Sequence, residues 1–478
     1  MSEAIDSGLL RGVLRDSLEL WGIAGSVVAG FPPVAAEIRA ADGTIVWIER
    51  AAEGAPFRWN ARSRTADEAP GNPREKRPRP CASLVGLLHA VRRTLGVDRG
   101  AALRVAPAPR NSVREGEREE SLRGRHTTAN AQHPGDDDRI PVSILTGFLG
   151  SGKTTLLRRL LRHPEMGRTA VVVNEFGEVG LDHELIETSD ETLVTLSTGC
   201  LCCKVRSDLA LTLADLAARR AAGRVPRFER VVIETSGLAD PAPILHALMI
   251  DPELRERYVA LDVITTVDAL TGSSTLQHHP ESLKQAALAD CLVLTKTDVR
   301  DADDAPLITR LTAVNPRAPV LRVVRGEVAP SALLQNRSRP VSSIAAPAIS
   351  RSSETVHGTG AMHEHSTGIS TFTLVSGPMH AATLTLFLSV LAENCGGDLL
   401  RLKGIVAIAE EPERPAVIHG VQHVYHAPEW LDRWPSGDRR TRIVFIGRNI
   451  PESWVRSVLE LLEIEVKDTL KARSRAVV

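Results

Sequence analysis

At 478 residues the chain is longer than one hydrophobic core usually supports, so its length predicts two or three domains joined by exposed linkers. Hydrophobic residues make up 43% and charged residues 24%, which is typical of globular proteins and gives no reason to expect global disorder. Lys and Arg number 58 against 59 Asp and Glu, so we expect neither a nucleic-acid partner nor an anionic membrane surface. No apolar run reaches the ~18 residues of a membrane helix, and residues 1–11 lack a signal pattern, so we expect a cytoplasmic location.

The N-terminal quarter of the chain predicts a small α+β domain over residues 1–106. Apolar positions alternate through residues 33–50, which indicates a hairpin, and they recur at helical spacing through 81–95. Residues 103–106 are predicted as a strand. The charged stretch 107–139 has too few apolar residues to order itself, so we interpret it as a flexible linker.

From residue 140 onwards, short β-rich runs alternate with amphipathic stretches. This alternation predicts an α/β domain at 140–334, with a parallel sheet and helices on both faces. Its strands are expected at 142–145, 170–173, 231–233, 263–267, 291–294 and 320–323. A polar linker at 335–368 then leads to a C-terminal α+β domain at 369–478, with strands expected at 370–375, 399–408, 416–425 and 442–446 and helices at 379–394 and 453–466.

The run GFLGSGKT at residues 147–154 fits the phosphate-binding pattern G-x-x-x-x-G-K-[ST], between a predicted strand and a predicted helix. Glycines let successive backbone N–H groups face the phosphates, and the helix adds its positive N-terminal end. Lys153 is expected to bridge the terminal phosphates, and the Thr154 hydroxyl to ligate Mg²⁺. The candidate nucleotide-binding residues of this loop are Gly147, Gly150, Ser151, Gly152, Lys153, Thr154 and Thr155.

The apolar run 231–233 ends in Glu234, with Gly237 three residues further on. In P-loop proteins an acid here holds the Mg²⁺ water shell or orients the attacking water, and a glycine lets a backbone N–H approach the γ-phosphate. Glu234 is therefore a candidate catalytic residue and Gly237 a nucleotide contact. The alternative is that Glu234 only caps the next helix.

The strand predicted at 291–294 is followed by the run TKTD at residues 295–298, which is similar to the guanine-reading N-K-x-D of GTPases. The Asp298 carboxylate accepts from two guanine N–H groups that adenine does not offer, and the Lys296 stem covers the base, which favours GTP as the nucleotide. Thr295 departs from the pattern, because a hydroxyl cannot supply both the donor and the acceptor of an amide. The alternative is a helix N-cap at Thr297 or Asp298.

Three of the six cysteines, Cys200, Cys202 and Cys203, fall within four positions, before a helix predicted at 205–222. Such uneven placement argues against a disulfide framework. Thiolates bind soft or borderline ions such as Zn²⁺ or Cu(I), and three of them nearly fill a tetrahedral shell. The following helix N-terminus and Lys204 would lower the thiol pKa. Buried structural cysteines and thiol redox chemistry remain alternatives.

An acidic segment follows the second predicted strand, where P-loop GTPases carry a nucleotide-responsive loop. Glu175, Glu178, Asp182 and His183 offer oxygen and nitrogen ligands to Mg²⁺ or to an ion bound by the cysteines. Such ligands would couple the metal to the nucleotide. A solvated acidic loop explains the same composition.

These motifs in this order resemble the CobW-like family of metallochaperone GTPases, relatives of the urease and hydrogenase nickel-insertion GTPases. The resemblance covers roughly residues 140–465, including LRLKG at 400–404, HGVQH at 419–423 and WP at 434–435. It implies a GTPase that binds Zn²⁺ or a similar ion at the cysteines and passes it to a client metalloprotein, with GTP and Mg²⁺ as cofactors. On this resemblance, the catalytic residues are Lys153, Glu234 and Glu175. Cys200, Cys202, Cys203 and Glu178 are the metal ligands, and Thr154 binds Mg²⁺.

The client, a homodimer, and cobalt in place of zinc are not decided by the sequence. A non-catalytic metal sensor and a P-loop kinase are rival functions. Residues 1–139 match no part of the family pattern, so they are either a client adapter or a passive fused domain. His357, His363 and His365 are interpreted as solvated linker residues, and His419, His423 and His426 as packing or client contacts.

Overall fold

The computed structural model describes residues 7–31, 33–51, 58–64, 79–97, 104–105, 139–175, 193–197, 202–299, 303–334 and 369–476, with the backbone alone at 104–105, 174–175, 193–197, 202–208 and 475–476. The described residues belong to two compact units. Unit 1 combines the N-terminal residues up to 105 with residues 313–315 and the C-terminal residues from 369. Unit 2 contains residues 139–312 and 316–334. No described helix is long and apolar enough to cross a membrane.

The N-terminal part of unit 1 contains two helices and a five-stranded sheet of order β1-β2-β3-β4-β5. The predicted hairpin is confirmed, because β2 and β3 pair antiparallel. The elements are α1 (Ser7–Trp21), β1 (Gly25–Val28), β2 (Val34–Ala40), β3 (Ile45–Arg50), β4 (Trp59–Arg64), β5 (Arg79–Cys81), α2 (Leu84–Thr94) and β6 (Arg104–Val105).

Unit 2 is an α/β domain, as predicted. Its elements are β7 (Ile140–Gly147), α3 (Lys153–Leu161), β8 (Thr169–Glu175), β9 (Leu193–Ser197), α4 (Cys202–Ala221), β10 (Arg230–Thr235), α5 (Ala242–Ile250), α6 (Pro252–Arg257), β11 (Tyr258–Asp268), α7 (Gly272–His278), α8 (Pro280–Leu288), β12 (Cys291–Thr295), α9 (Ala305–Val314), β13 (Val320–Arg322) and α10 (Pro330–Leu333).

Seven strands form the sheet of unit 2, in the order β13-β12-β11-β7-β10-β8-β9. Every pairing between neighbours in it is parallel. All seven strands therefore end at one edge of the sheet, where the crevice of an open parallel sheet usually binds its ligand. The loops that carry the predicted motifs leave from this edge.

The C-terminal part of unit 1 is an antiparallel sheet with two long helices. The predicted strand at 416–425 is two strands, because Gln422 adopts a positive φ of 55° and reverses the chain between them. The helix predicted at 453–466 continues to residue 476. The elements are β14 (Ile369–Ser376), α11 (Ala381–Cys395), β15 (Leu399–Val406), β16 (Ala416–Val421), β17 (Val424–Tyr425), β18 (Glu429–Trp430), β19 (Thr441–Arg448) and α12 (Glu452–Ala476).

The two ends of the chain share one hydrophobic core, although the sequence predicts separate domains at 1–106 and 369–478. Apolar residues of α1, α2, α11 and α12 belong to a single buried cluster. The buried Trp454 indole donates to Ser17 Oγ at 2.8 Å, and the Leu84 amide donates to Glu465 Oε2 at 3.0 Å. Strand β6 also extends the C-terminal sheet by pairing with β17. The apolar faces of α1 and α2 are thus buried against the C-terminal helices.

Candidate nucleotide and metal site

Strand β7 ends at Gly147 and α3 begins at Lys153, so the phosphate-binding motif forms the loop between them. Gly147, Gly150 and Gly152 have φ values of 144°, 70° and 90°, which favour glycine. A Cβ at Gly147 would lie 2.5 Å from the carbonyl oxygen of Thr266, so only glycine fits against β11 there. Ser151 is buried, and its hydroxyl is 2.7 Å from that of Thr266. The predicted Thr155 side chain is exposed.

Lys153 is folded over the loop that precedes it. Its Nζ donates to the carbonyl oxygens of Gly147 at 3.0 Å and Phe148 at 3.2 Å. The side chain is only 9% exposed. The loop carbonyls thus hold the buried Lys153 ammonium beside the loop, at the position where the terminal phosphates of a nucleotide would bind.

Glu234 is buried, 5% exposed, near the end of β10, the neighbour of β7 in the sheet. The Thr154 hydroxyl donates to Glu234 Oε1 at 2.7 Å. The alternative role of Glu234 as a helix cap is wrong, because α5 begins only at Ala242 and its first amide is bound by Asp240 Oδ1 at 3.0 Å. The structure thus brings together the hydroxyl and the carboxylate that the sequence assigns to the magnesium shell.

Gly237 lies against the phosphate loop. A Cβ at this position would be 2.7 Å from the backbone nitrogen of Leu149 and 2.8 Å from its Cα. The buried Gln285 of α8 fixes the loop from the other side, since its Nε2 donates to the carbonyl oxygens of Gly237 at 3.1 Å and Ala239 at 3.0 Å. The loop after β10 is therefore held between the phosphate loop and α8.

Thr295 binds the phosphate loop directly. Its Oγ1 is 2.7 Å from the Ser151 carbonyl oxygen and 3.2 Å from that of Val267. A hydroxyl has one proton, and the shorter contact assigns it to Ser151. Thr295 thus replaces the donor of the usual asparagine towards the loop, and its hydroxyl proton is already engaged there.

Lys296 has a positive φ of 58°, and its Nζ donates to Asp268 Oδ2 at 2.7 Å. Partial burial alone would raise the pKa of Asp268, but the hydrogen bonds from Lys296 and the Leu270 amide outweigh it, so the pKa is lowered. The ionised carboxylate at the end of β11 therefore fixes the lysine stem at the edge of the sheet.

Asp298 lies in a turn closed by a hydrogen bond from the Val299 amide to the Lys296 carbonyl at 3.3 Å. The alternative of an N-cap at Thr297 or Asp298 is wrong, since α9 begins only at Ala305. The side chain of Asp298 is 27% exposed, and its Oδ2 accepts from Arg325 Nε at 3.4 Å.

Strand β9 forms the outer edge of the sheet beside β8, and α4 follows it after four residues. The structure corrects the predicted helix start at 205, because Cys202 and Cys203 belong to the first turn of α4. Glu175 is the last residue of β8. Cys200, Glu178, Asp182 and His183 lie outside the described residues, as do His357, His363 and His365.

The P-loop strand β7 and the strand β9 that leads to the cysteines are separated by β10 and β8. Strands are spaced about 4.8 Å apart, so the ends of β7 and β9 are roughly 14 Å apart along one edge. Among the described residues, no group of three His, Cys, Asp or Glu side chains is arranged to hold a metal ion. The C-terminal histidines His419 and His426 are ring neighbours, with centroids 6.3 Å apart.

Sequence reasoning missed four residues of the site: Thr266, Asp268, Gln285 and Arg325. Thr266 and Asp268 lie at the carboxyl end of β11, which the apolar pattern predicts as a strand. Residues at the carboxyl end of a parallel strand are expected at the binding edge, so the sequence contained a signal for both. Gln285 lies within α8, and a lone amide on a helix gives no comparable signal.

Comparison with known proteins agrees with this architecture. Residues 141–322 match the model of the CobW/HypB/UreG nucleotide-binding domain, and residues 369–462 match the cobalamin synthesis protein cobW C-terminal domain. The residues before 141 lie outside both matches.

Two curated relatives match over nearly their whole length. The zinc chaperone YjiA of Escherichia coli is 33% identical over 323 residues, which is 66% of this chain and 97% of the relative. The zinc chaperone CobW of a Sinorhizobium species is 31% identical over 373 residues, 70% of this chain and 99% of the relative.

Among solved structures, Zn(II)-bound YjiA GTPase from E. coli superposes with a TM-score of 0.52 at 27% identity, covering 68% of this chain and 99% of that one. A Zn(II)-bound YjiA triple mutant, with one glutamate and two cysteines replaced by alanine, gives a TM-score of 0.53 at 28% identity, over 68% of this chain and 99% of that one. The chain belongs to the CobW/HypB/UreG family of P-loop GTPases.

Proposed function

We propose that the protein is a GTP-driven metallochaperone, which binds Zn²⁺ through Cys200, Cys202 and Cys203 and passes it to a client metalloprotein. The observation that carries the proposal is the common edge of the parallel sheet. Glu234 lies at the carboxyl end of β10, and the phosphate loop, Asp298 and the first turn of α4 each follow the carboxyl end of another strand. One loop cluster can therefore respond to both nucleotide and metal.

The nucleotide half of the proposal rests on contacts between described side chains. The Lys153 ammonium binds a carbonyl oxygen of the phosphate loop. Thr154 and Glu234 provide two hard oxygen atoms 2.7 Å apart, a donor set that fits Mg²⁺. Bound there, Mg²⁺ would neutralise charge that develops on the β- and γ-phosphate oxygens. Glu234 and Glu175 are the proposed groups that orient the attacking water.

The reaction that we assign to this site is hydrolysis of GTP. The oxygen of a water molecule bonds to the γ-phosphorus, and the bond from that phosphorus to the β–γ bridging oxygen breaks. GDP and inorganic phosphate leave, and the water proton passes to the released phosphate or to solvent. The Lys153 ammonium stabilises charge on the terminal phosphates, and the Gly237 amide contacts the γ-phosphate from the loop beside Leu149.

The metal half rests on donor chemistry and chain position. Three thiolates favour Zn²⁺ and leave the fourth position of a tetrahedral shell for an exchange partner, so the ion is cargo that can be released. The two relatives are named zinc chaperones, which favours zinc over cobalt. The N-terminal end of α4, whose first turn includes Cys202 and Cys203, favours the thiolate form.

Coupling is assigned to the segment between β8 and β9. It starts from β8, which pairs with the strand that contains Glu234, and returns to the sheet as β9 just before the cysteines. We propose that GTP·Mg²⁺ orders residues 174–183 and docks the loaded cysteine loop against the client. Hydrolysis then releases the segment and loosens the metal.

Hydrolysis assays on two variants test this function. Lys153→Ala should abolish GTP hydrolysis, while Cys202→Ala should retain it and lose metal affinity. If both variants hydrolyse GTP like the wild type, the enzyme assignment fails. If the wild type binds GTP without turnover, the rival function, a metal sensor with a structural nucleotide, is favoured.

Metal binding must be measured as an affinity rather than a metal content. The YjiA triple mutant contains Zn(II) in its crystal although two cysteines are replaced, so bound zinc alone does not identify a cysteine site. Competition with a chelator of known zinc affinity, on the wild type and a variant with Cys200, Cys202 and Cys203 all replaced by Ser, gives the required comparison. Equal affinities would remove the cysteines from the proposal.

A further inference from the structure

The loop after β13 approaches the guanine-reading motif from the side. Strands β12 and β13 pair in parallel, with Leu294 opposite Arg322, and the Val323 amide donates to the Leu294 carbonyl at 2.9 Å. The residues that follow the two strands are therefore neighbours at the binding edge. Arg325 is the residue of this second loop that contacts the motif, through Asp298.

The turn that carries Arg325 has an unusual backbone. Val324 and Glu327 form an antiparallel bridge, closed by the Glu327 amide on the Val324 carbonyl at 2.9 Å. Both central residues have positive φ, 52° at Arg325 and 78° at Gly326. Turns of this shape favour Asn, Asp and Gly at the first central position, and a long side chain is disfavoured there. A residue kept in a disfavoured conformation at a binding edge suggests a function for its side chain.

The turn is also fixed in place. A Cβ at Gly326 would lie 3.0 Å from Arg159 Cγ and 3.2 Å from the Thr155 carbonyl oxygen, so the turn packs closely on α3, the helix of the phosphate loop. The Arg325 side chain nevertheless remains 75% exposed, and only its Nε is directed at Asp298 Oδ2. Its guanidinium therefore stands beside the carboxylate with N–H donors accessible to a ligand.

We propose that Arg325 is a specificity-determining residue for the base, donating to the O6 carbonyl of guanine while Asp298 accepts from N1–H and the 2-amino group. The inference rests on the proposed GTP site. O6 lies next to N1 on the base edge, so a donor beside Asp298 meets it. Adenine carries an amino group at that position, which an arginine cannot accept, since all its polar hydrogens are donors. Arg325 thus favours guanine and disfavours adenine.

This role explains how the site tolerates threonine at position 295. The amide of an asparagine would serve both the phosphate loop and the base, but the Thr295 hydroxyl proton is engaged by the Ser151 carbonyl. Arg325, on the neighbouring loop, instead makes the contact with the base that Thr295 does not make. Asp298 and Arg325 together then read three adjacent groups on the guanine edge.

The test compares dissociation constants for GDP, IDP and ADP, because hypoxanthine keeps O6 and N1–H but lacks the 2-amino group. Arg325→Asn retains a residue that tolerates positive φ, so the turn should persist. We expect it to weaken GDP and IDP binding about 10- to 100-fold each, the loss of one charged hydrogen bond, and to leave ADP binding unchanged or tighter. Arg325→Ala should give the same pattern with a lower melting temperature.

Arg322→Ala is the matched control. Arg322 is an exposed arginine at the end of β13, just before the turn that carries Arg325, and it forms an ion pair with a different aspartate, Asp304. It should leave the ratio of GDP to ADP affinity unchanged. Three results would overturn the inference that Arg325 reads O6: Arg325→Asn weakens the binding of all three nucleotides equally, weakens the binding of GDP but not of IDP, or leaves all three dissociation constants unchanged. A wild type that binds GDP no better than ADP would instead contradict the proposed GTP site itself.

Discussion

The close approach of Gly237 to the phosphate loop makes Gly237→Ala the sharpest test of the site geometry. The new Cβ would lie 2.7 Å from the backbone nitrogen of Leu149, and ordinary contact begins at 3.4 Å. One of the two loops must therefore withdraw by about 0.7 Å. Because the obstacle is backbone, no rotamer change relieves the clash.

Overpacking of this kind costs about 1 to 3 kcal/mol, which a folded domain of this size survives. The effect on chemistry is larger, since misplacing a reacting group by ~1 Å can cost about 100-fold in rate. We expect kcat for GTP hydrolysis to fall about 10- to 100-fold in Gly237→Ala, with circular dichroism unchanged.

Steady-state phosphate release measures this effect, with Gly167→Ala as the control. Gly167 is in the same unit, and a Cβ there would meet its nearest neighbour, the Pro164 carbonyl oxygen, at an ordinary 3.5 Å. The control should hydrolyse GTP like the wild type. A kcat for Gly237→Ala within twofold of the wild type would refute the claim that this contact positions the catalytic loop.

Three further outcomes are expected. Thr295→Val should lower the free energy of unfolding by about 1 to 3 kcal/mol in denaturant titrations, because the buried Ser151 carbonyl loses its donor, while Thr309→Val, which removes an exposed hydroxyl bond, should have little effect. Burial raises the pKa of the Cys81, Cys291 and Cys395 thiols, that of Cys291 to about 12. At pH 8 only Cys200, Cys202 and Cys203 should therefore react rapidly with a disulfide reagent, and bound Zn²⁺ should suppress this reaction. A fourth rapidly reacting thiol would contradict this expectation. Burial raises the pKa of Glu465, so its ionisation should lower the melting temperature as pH rises above about 4.5 towards that raised pKa, and Glu465→Gln should lessen the decline; an unchanged pH profile would refute it.

The sequence predicted unit 2 well because its strands are short apolar runs followed by motifs whose geometry depends mainly on the backbone. The phosphate loop needs glycine at positive φ, and the pattern at Gly147, Gly150 and Gly152 supplies it. The parallel strands then bring Glu234 and Thr154 together without further information from the side chains.

Unit 1 was harder to predict, because its elements depend on partners distant in sequence. Helix α1 has no marked motif, and its apolar face is buried against α12, more than 400 residues further along the chain. The reversal at Gln422 was missed because the residue carries no glycine or proline signal. Arg325 was missed for a related reason: its contact with Asp298 exists only through the pairing of β12 with β13.

Zinc affinity in the two nucleotide states is the measurement that tests the proposed coupling most directly. Chelator competition should show that the protein with a non-hydrolysable GTP analogue binds Zn²⁺ at least about fivefold more tightly than the protein with GDP. Zinc should then raise the ratio of analogue affinity to GDP affinity by the same factor. Equal zinc affinities in the two states would contradict communication between the cysteine loop and the phosphate site.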